Sequence, residues 1–228
     1  MKIYENLRFQ FALYFRYRCA HAPIPHTKVR IVCEITILLT DFLLLKNKVF
    51  MSANDKPHIR RAVRAELAKL SPEEKATLSA QIFSHIEALS EVTSASVIAL
   101  FASLPDEPQT TAIIERLSQH KRVVLPRIEG DTMNFYDISE GLHEGYFGIL
   151  EPIATTPIST DEIDVMIVPG VAFTHQGARL GRGKGFYDKY LSRSGFRAYT
   201  IGVCYPCQIT SVLPCEEHDV TMNLVVCD

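Results

Sequence analysis

Apolar positions along the chain follow two spacings, and each spacing predicts a different element. One set repeats every three or four residues, which predicts an amphipathic helix: Ile59, Val63, Leu67 and Leu70. A second helix is predicted from Ser71-Pro72-Glu73-Glu74, a capping box with proline at its first helical position. A third is expected over about 110–120, with its apolar residues again at helical spacing.

Between and after these helices lie short, nearly continuous apolar runs, which are typical of strands buried on both faces. The runs are Ser96–Phe101, Arg122–Pro126, Val165–Val168, Tyr199–Cys204 and Leu224–Val226. Helices that alternate with buried strands predict an α/β domain with a mainly parallel sheet.

The first fifty residues do not follow this pattern. Their apolar run, Ile31–Leu45, contains two acidic residues and is shorter than the roughly 20 apolar residues of a membrane-spanning helix. Met51 follows soon after. We therefore predict that residues 1–50 are an N-terminal extension from upstream in-frame translation, outside the fold, and that residues 51–228 form a single domain. A membrane anchor or a targeting segment is the alternative.

The charge of the chain is divided unevenly between these parts. Residues 1–50 hold eight Lys or Arg against three Asp or Glu, and residues 51–228 hold sixteen against twenty-three. The predicted domain therefore has no general attraction for nucleic acid or an anionic membrane, and any anion site in it must be local. Six cysteines in 228 residues do not form a disulfide scaffold, so we expect a cytoplasmic protein.

The strongest candidate for such a local site is the stretch from Arg179 to Tyr190, RLGRGKGFYDKY. Three alternate glycines allow a bulky anion to approach the main chain, and Arg182 and Lys184 lie between them. The predicted strand Val165–Val168 precedes this loop and a helix start follows it, which is the context of a phosphate site. The alternative to a phosphate site is a turn with no ligand, since the stretch matches neither standard nucleotide-binding glycine pattern.

Other polar residues have a functional and a structural interpretation. Arg60, Arg61 and Arg64 form either a solvated basic face or an arm that closes over phosphates. Glu107 follows a predicted parallel strand, so it is either a substrate contact or a first-turn acid of the next helix. Asp219 lies either in a solvated turn or beside Asp188 at a magnesium ion.

Two further features favour ordinary structural roles. Cys204 and Cys207 have C-x-x-C spacing, but no second pair completes a zinc site, so we expect buried or loop cysteines. His175 is a candidate base, although a loop histidine usually forms local hydrogen bonds.

Taken together, these residues resemble the 5-formyltetrahydrofolate cyclo-ligase family, also called methenyltetrahydrofolate synthetase. The resemblance rests on Pro169-Gly170-Val171-Ala172-Phe173 and on the pattern from Gly177 through Arg179-Leu180-Gly181-Arg182-Gly183-Lys184-Gly185-Phe186-Tyr187-Asp188. It covers about residues 56–228. It implies a Rossmann-like three-layer sandwich around a mainly parallel sheet.

The resemblance also implies an activity and its residues. Family members convert 5-formyltetrahydrofolate to 5,10-methenyltetrahydrofolate with ATP and Mg²⁺, releasing ADP and phosphate. The implied roles are catalysis by Lys184 and Arg182 and magnesium binding by Asp188 and Asp219. The implied ATP contacts are Arg60, Arg61, Ala62, Val63, Arg64, Arg179, Leu180, Gly181, Arg182, Gly183, Lys184, Gly185, Phe186 and Tyr187. The implied folate contacts are Ala102, Glu107, Arg182, Gly183, Lys184, Gly185 and Phe186.

The bare pattern also fits two other functions: a small-metabolite kinase on a similar sheet, and a sensor that binds ATP without turnover. We expect a monomer that binds 5-formyltetrahydrofolate and ATP, with no nucleic-acid or membrane partner.

Overall fold

The computed structural model describes residues 55–145 and 149–228. The predicted extension over residues 1–50 lies outside the described residues, so its separation from the fold stays a prediction. None of the described helices is long and apolar enough to cross a bilayer.

The described chain contains five α-helices and ten strands. The helices are α1 (Lys56–Leu67), α2 (Pro72–Ala88), α3 (Ser90–Ser94), α4 (Thr111–Ser118) and α5 (Phe186–Leu191). The strands are β1 (Val97–Ala99), β2 (Arg122–Glu129), β3 (Thr132–Asp137), β4 (Leu142–Glu144), β5 (Leu150–Pro152), β6 (Val165–Pro169), β7 (Ala172–Phe173), β8 (Arg179–Leu180), β9 (Tyr199–Val203) and β10 (Leu224–Val226).

The main sheet has six strands in the order β10-β9-β6-β1-β2-β3. All neighbours pair in parallel except β2 and β3, which form an antiparallel hairpin. From the central pair, β1 leads outward through α4 to β2, whereas β6 leads the other way through α5 to β9. The strand order therefore reverses between β1 and β6, and ligands bind at such a switch point in open α/β sheets.

Side chains of the sheet alternate between two cores, one on each face. Val165 and Ile167 of β6 pack in the first core together with buried residues of α1, α2 and α4. Met166 and Val168 pack in the second core with Tyr190 of α5. This arrangement of helix, sheet and helix confirms the predicted three-layer α/β sandwich around a mainly parallel sheet.

Local sequence patterns predicted parts of several elements correctly. The Ser71 hydroxyl accepts a hydrogen bond from the Glu74 amide at 3.1 Å, and the Glu74 carboxylate accepts one from the Ser71 amide at 2.7 Å, so the capping box is confirmed. Strand β2 extends three residues beyond the predicted Pro126 because it continues into the hairpin with β3. The turn of that hairpin includes Gly130 at φ 60°, in the region that favours glycine.

Candidate functional site

The glycine-rich stretch connects β8 to α5 at the carboxyl edge of the main sheet. Gly183 and Gly185 have φ values of 103° and 70°, so two positions of this loop adopt a backbone that other residues rarely take. Gly185 directly precedes the first helical residue, Phe186. The loop therefore has the strand–glycine–helix arrangement that the sequence predicts.

A cavity of about 410 Å³ lies beside this loop. Its walls come from α1, the segment after β1, the end of β6, the glycine-rich stretch from Arg179 to Asp188, β2 and β3, and an acidic corner near residue 218. Cavities of about 300–1,000 Å³ are the usual size for small-molecule sites. Because the segments after β1 and β6 both contribute, the cavity occupies the switch point of the sheet.

The cavity brings together most of the predicted residues. Its walls include Arg60, Ala102, Glu107, Arg179, Leu180, Gly181, Arg182, Gly183, Lys184, Gly185, Phe186, Tyr187, Asp188 and Asp219. Residues from four separate segments of the chain thus meet in one place.

Arg182 joins the glycine-rich loop to the segment after β1. Its guanidinium donates to Oε1 of Glu107 at 3.0 Å and 2.9 Å, and to Oδ1 of Asp106 at 2.5 Å. Burial raises the pKa of Glu107 despite the nearby Arg182 charge. Burial acts in the same direction on Asp106, but the hydrogen bond and charge of Arg182 outweigh it and lower the pKa of Asp106.

Arg179 is the most deeply buried cation of the loop. Its side chain is 3% exposed and donates to Oδ1 of Asp188 at 2.5 Å. Its guanidinium also lies 5.6 Å from the centre of the Tyr187 ring. Within the described part of the chain, Nε of Arg179 has no hydrogen-bond partner. A buried donor left without an acceptor is costly, so this side chain is suited to an anionic ligand in the cavity.

Lys184 and Arg60 supply cationic groups that no carboxylate neutralises within residues 55–145 and 149–228. Lys184 is exposed in the cavity wall, and its ammonium group makes no hydrogen bond to those residues. Arg60 donates through Nε to the carbonyl oxygen of Gly181 at 2.8 Å, which holds α1 against the glycine-rich loop. Both are placed to meet an anion at that loop.

The rest of the predicted arginine segment does not reach the cavity. Arg61, Ala62 and Arg64 are exposed and absent from its walls, and Val63 packs in the first core. Arg61, Ala62 and Val63 lie on other faces of α1. Arg64 lies on the face of Arg60 but one turn further along the helix, and it does not line the cavity.

That stripe contains Lys56, which the sequence analysis did not single out. Lys56 lies four residues before Arg60, hence on the same helical face, and it lines the cavity. The i, i+4 spacing of Lys56 and Arg60 is the sequence signal that could have identified Lys56 as a cavity residue.

Lys56 forms ion pairs with the acidic corner. Its ammonium group lies 2.8 Å from Oε2 of Glu216 and 2.9 Å from Oδ2 of Asp219. Burial acts to raise the pKa of Asp219, but hydrogen bonds from Lys56 and the Glu216 amide, together with the Lys56 charge, outweigh it and lower the pKa. Ligand atoms of Glu216, His218 and Asp219 lie within 4.8 Å of one another. Asp188 is not in this group and pairs with Arg179 instead.

The opposite wall of the cavity is mainly apolar. It is formed by Phe101, Leu104, Pro126, Ile128, Met133, Ile149 and Phe186. Strands β2 and β3 supply three of these residues, and the sequence analysis gave them no role in the site. Their contribution depends on the antiparallel hairpin, which brings the sheet edge beside the loop after β1. The cavity thus combines a cationic side with an apolar side.

The remaining chemical candidates lie elsewhere. Cys204 is buried and its pKa is raised by that burial, the opposite of a reactive thiol. Cys207 is unpaired, and its pKa is likewise raised. His175 is exposed and does not line the cavity.

The fold and the cavity define an α/β protein with a site for a ligand that has both an anionic and an apolar part. Comparison with known proteins identifies a family within this class. The sequence model of the 5-formyltetrahydrofolate cyclo-ligase family matches residues 52–228. The chain belongs to the 5-formyltetrahydrofolate cyclo-ligase family, and it is accordingly an enzyme, a ligase of folate one-carbon metabolism.

Individual relatives agree with this assignment. The 5-formyltetrahydrofolate cyclo-ligase of Haemophilus influenzae is 31% identical over 181 residues, 75% of this chain and 97% of that protein. The mouse protein of the same name is 29% identical over 187 residues, 73% of this chain and 92% of that protein.

A solved structure also shares the fold. The 5,10-methenyltetrahydrofolate synthetase of Aquifex aeolicus superposes with a TM-score of 0.69 at 31% identity, covering 76% of this chain and 89% of that one.

Proposed function

We propose that the protein catalyses the ATP- and Mg²⁺-dependent cyclisation of 5-formyltetrahydrofolate to 5,10-methenyltetrahydrofolate, with release of ADP and phosphate. One observation carries the proposal: a single cavity places the cations of a glycine-rich loop beside an apolar wall and the buried Glu107. The triphosphate of ATP suits the cationic side. The flat pterin ring of a folate suits the apolar side.

The chemistry requires activation of the formyl oxygen, which is a poor leaving group. The formyl oxygen attacks the γ-phosphorus of ATP, the bond to ADP breaks, and an iminium phosphate forms. N10 then attacks the activated carbon and loses its proton. The bond from that carbon to oxygen breaks, and phosphate leaves. Catalysis consists mainly of alignment and of neutralising charge on the transferred group.

The chain's own residues have distinct parts in this scheme. Lys184 has no carboxylate partner among the described residues, so its charge is available to the transferred phosphoryl group. Arg179, with an unpartnered buried Nε, suits a non-bridging phosphate oxygen. Arg182 is held by Asp106 and Glu107, which places it between the phosphate loop and the folate side.

The residues fit a magnesium ion by their donor chemistry. Asp188 and Asp219 both line the cavity, and Mg²⁺ prefers carboxylate oxygens and waters. Each carboxylate has a basic partner, Arg179 or Lys56, and each retains a second oxygen. When bound, the ion would neutralise phosphate charge.

The test follows the methenyl chromophore after the purified full-length chain is mixed with 5-formyltetrahydrofolate, ATP and Mg²⁺. We expect absorbance to rise only when all three are present, with one ADP formed per methenyl product. ADP without chromophore would favour a kinase, and ATP binding without either product would favour a sensor. Both outcomes would reject the proposal.

The proposal also includes the location and assembly expected from the sequence. The family match begins at residue 52, which supports residues 51–228 as a single catalytic domain. The four cysteines among the described residues are unpaired, which fits the reducing cytoplasm. A monomer is proposed, and light scattering of the active protein tests it.

A further inference from the structure

Arg182 connects the two loops that leave the switch point of the sheet. The segment from Ala102 to Glu107 follows β1, and the glycine-rich loop follows β6 through β7 and β8. The side chain of Arg182 crosses from the second loop to Asp106 and Glu107 of the first. We call these three residues the clamp. The structure gives no other ion pair between the two loops among the described residues.

The two carboxylates of the clamp are held differently. Glu107 is 6% exposed, its Oε2 accepts from the Leu104 amide at 3.0 Å, and its carbonyl oxygen accepts from the Tyr205 hydroxyl at 3.0 Å. The side chain of Asp106 is 33% exposed, and its carboxylate accepts a hydrogen bond from Arg182. Glu107 is therefore held in place by burial and by contacts outside the clamp, whereas Asp106 forms the exposed part of the clamp.

The glycine-rich loop depends on such external contacts for its shape. Three of its five residues from Gly181 to Gly185 are glycines, which lose more conformational freedom on ordering than any other residue. Ordering the loop around an anion therefore has an entropic cost. A ligand that fixes the first loop would reduce this cost, because Arg182 transmits the restraint to the second loop.

We propose that Asp106 is a positioning residue that couples the two halves of the cavity, so that folate bound beside the first loop raises the affinity of the glycine-rich loop for nucleotide. This inference rests on the proposed function, since it takes folate and ATP as the two ligands. Asp106 itself touches neither ligand in this scheme. Its contribution is a second acceptor for Nη2 of Arg182, the nitrogen that also donates to Glu107.

The experiment measures binding without turnover. Calorimetry gives the affinity of the full-length chain for a non-hydrolysable ATP analogue with Mg²⁺, alone and with saturating 5-formyltetrahydrofolate. The variants are Asp106→Asn, Asp106→Glu and, as a matched control, Asp131→Asn, an exposed acid at the β2–β3 turn outside the cavity. Thermal melting of each variant checks folding.

For the unmodified chain we expect folate to raise the analogue affinity by about 5-fold or more, the lower end of typical coupling. The ratio should fall below about 2-fold in Asp106→Asn, recover partly in Asp106→Glu, and stay unchanged in Asp131→Asn. A merely structural role would weaken binding equally with and without folate and leave the ratio unchanged.

Several results would overturn the inference. If the unmodified chain binds both ligands with a ratio near one, or if Asp106→Asn retains the full ratio, the coupling is absent while the proposed function stands. If the unmodified chain binds neither ligand, the proposed function fails, and the inference fails with it. If Asp106→Asn does not fold, the ratio in Asp106→Glu decides, and a value equal to or above that of the unmodified chain rejects the positioning role.

Discussion

Lys184→Ala tests the central residue of the proposed site because its effects on stability and on catalysis should separate. Lys184 is exposed and makes no hydrogen bond to the described residues, so its removal breaks no contact of the fold. Surface substitutions of this kind change the free energy of unfolding by at most about 0.5 kcal/mol. For a domain of this size, that is a shift in melting temperature of about 2 °C or less.

The catalytic effect should be far larger. Removing one group that stabilises charge in a transition state typically costs about 3–4 kcal/mol, which corresponds to a loss of about 10²–10³ in turnover. Between Gly181 and Gly185, Lys184 is the cation without a carboxylate partner in residues 55–145 and 149–228. The neighbouring Arg60 is already held by the carbonyl oxygen of Gly181, so it does not take the place of the Lys184 ammonium. We expect kcat to fall by that factor while the melting temperature stays nearly constant.

The assay combines initial rates of methenyl formation with thermal melting. Lys189→Ala is the matched control, since Lys189 is an exposed lysine on α5 that does not line the cavity. It should leave both quantities unchanged. A Lys184→Ala variant that keeps more than about a third of the normal kcat would remove Lys184 from the mechanism.

Three further predictions concern stability, metal dependence and pH. Gly177→Ala should lower the free energy of unfolding by more than about 3 kcal/mol, because a Cβ there would lie 2.3 Å from a backbone oxygen. In Gly195→Ala, also at positive φ, the nearest atom is 3.7 Å away and only about 1–2 kcal/mol should be lost; equal losses in denaturant titrations would contradict the steric argument. Asp188→Asn should raise the Mg²⁺ concentration needed for half-maximal activity and lower the melting temperature, since Arg179 is buried beside it; an unchanged Mg²⁺ titration would count against the metal role. Asp219→Asn should lower the melting temperature at neutral pH. The lowered pKa of Asp219 means that its ionised form stabilises the fold above about pH 3.9, and that this stabilisation disappears as the pH falls through the folded-state pKa. The difference in melting temperature between the variant and the unmodified chain should therefore vanish at low pH. A difference that stays constant with pH would refute the stabilising role of the Asp219 carboxylate.

The sequence predicted local features more accurately than features that depend on long-range contacts. The capping box at Ser71 and the strand Leu224–Val226 were correct to the residue because they depend on neighbours in the chain. Strand β2 was predicted too short, since its last three residues are specified by pairing with β3 rather than by their own hydrophobicity.

The same distinction applies to the site. The glycine-rich stretch was recognised from its own residues, because glycine spacing and charge are local properties. Of the arginine segment of α1, only Arg60 lines the cavity, and Lys56, which was not predicted, lines it as well. Which stripe of a helix faces a cavity depends on what packs against the helix, and Val63 and Leu67 fix that rotation in the first core.

The sequence by itself therefore determined the α/β class, the position of the glycine-rich loop after a buried strand and the family. Only the tertiary structure decided which residues of separate segments meet: Arg182 with Asp106 and Glu107, Arg179 with Asp188, and Lys56 with Asp219. The physical reason is that charge pairing acts over a few ångströms in space. Residues 75 positions apart, such as Glu107 and Arg182, come within that range only after the parallel sheet places β1 beside β6.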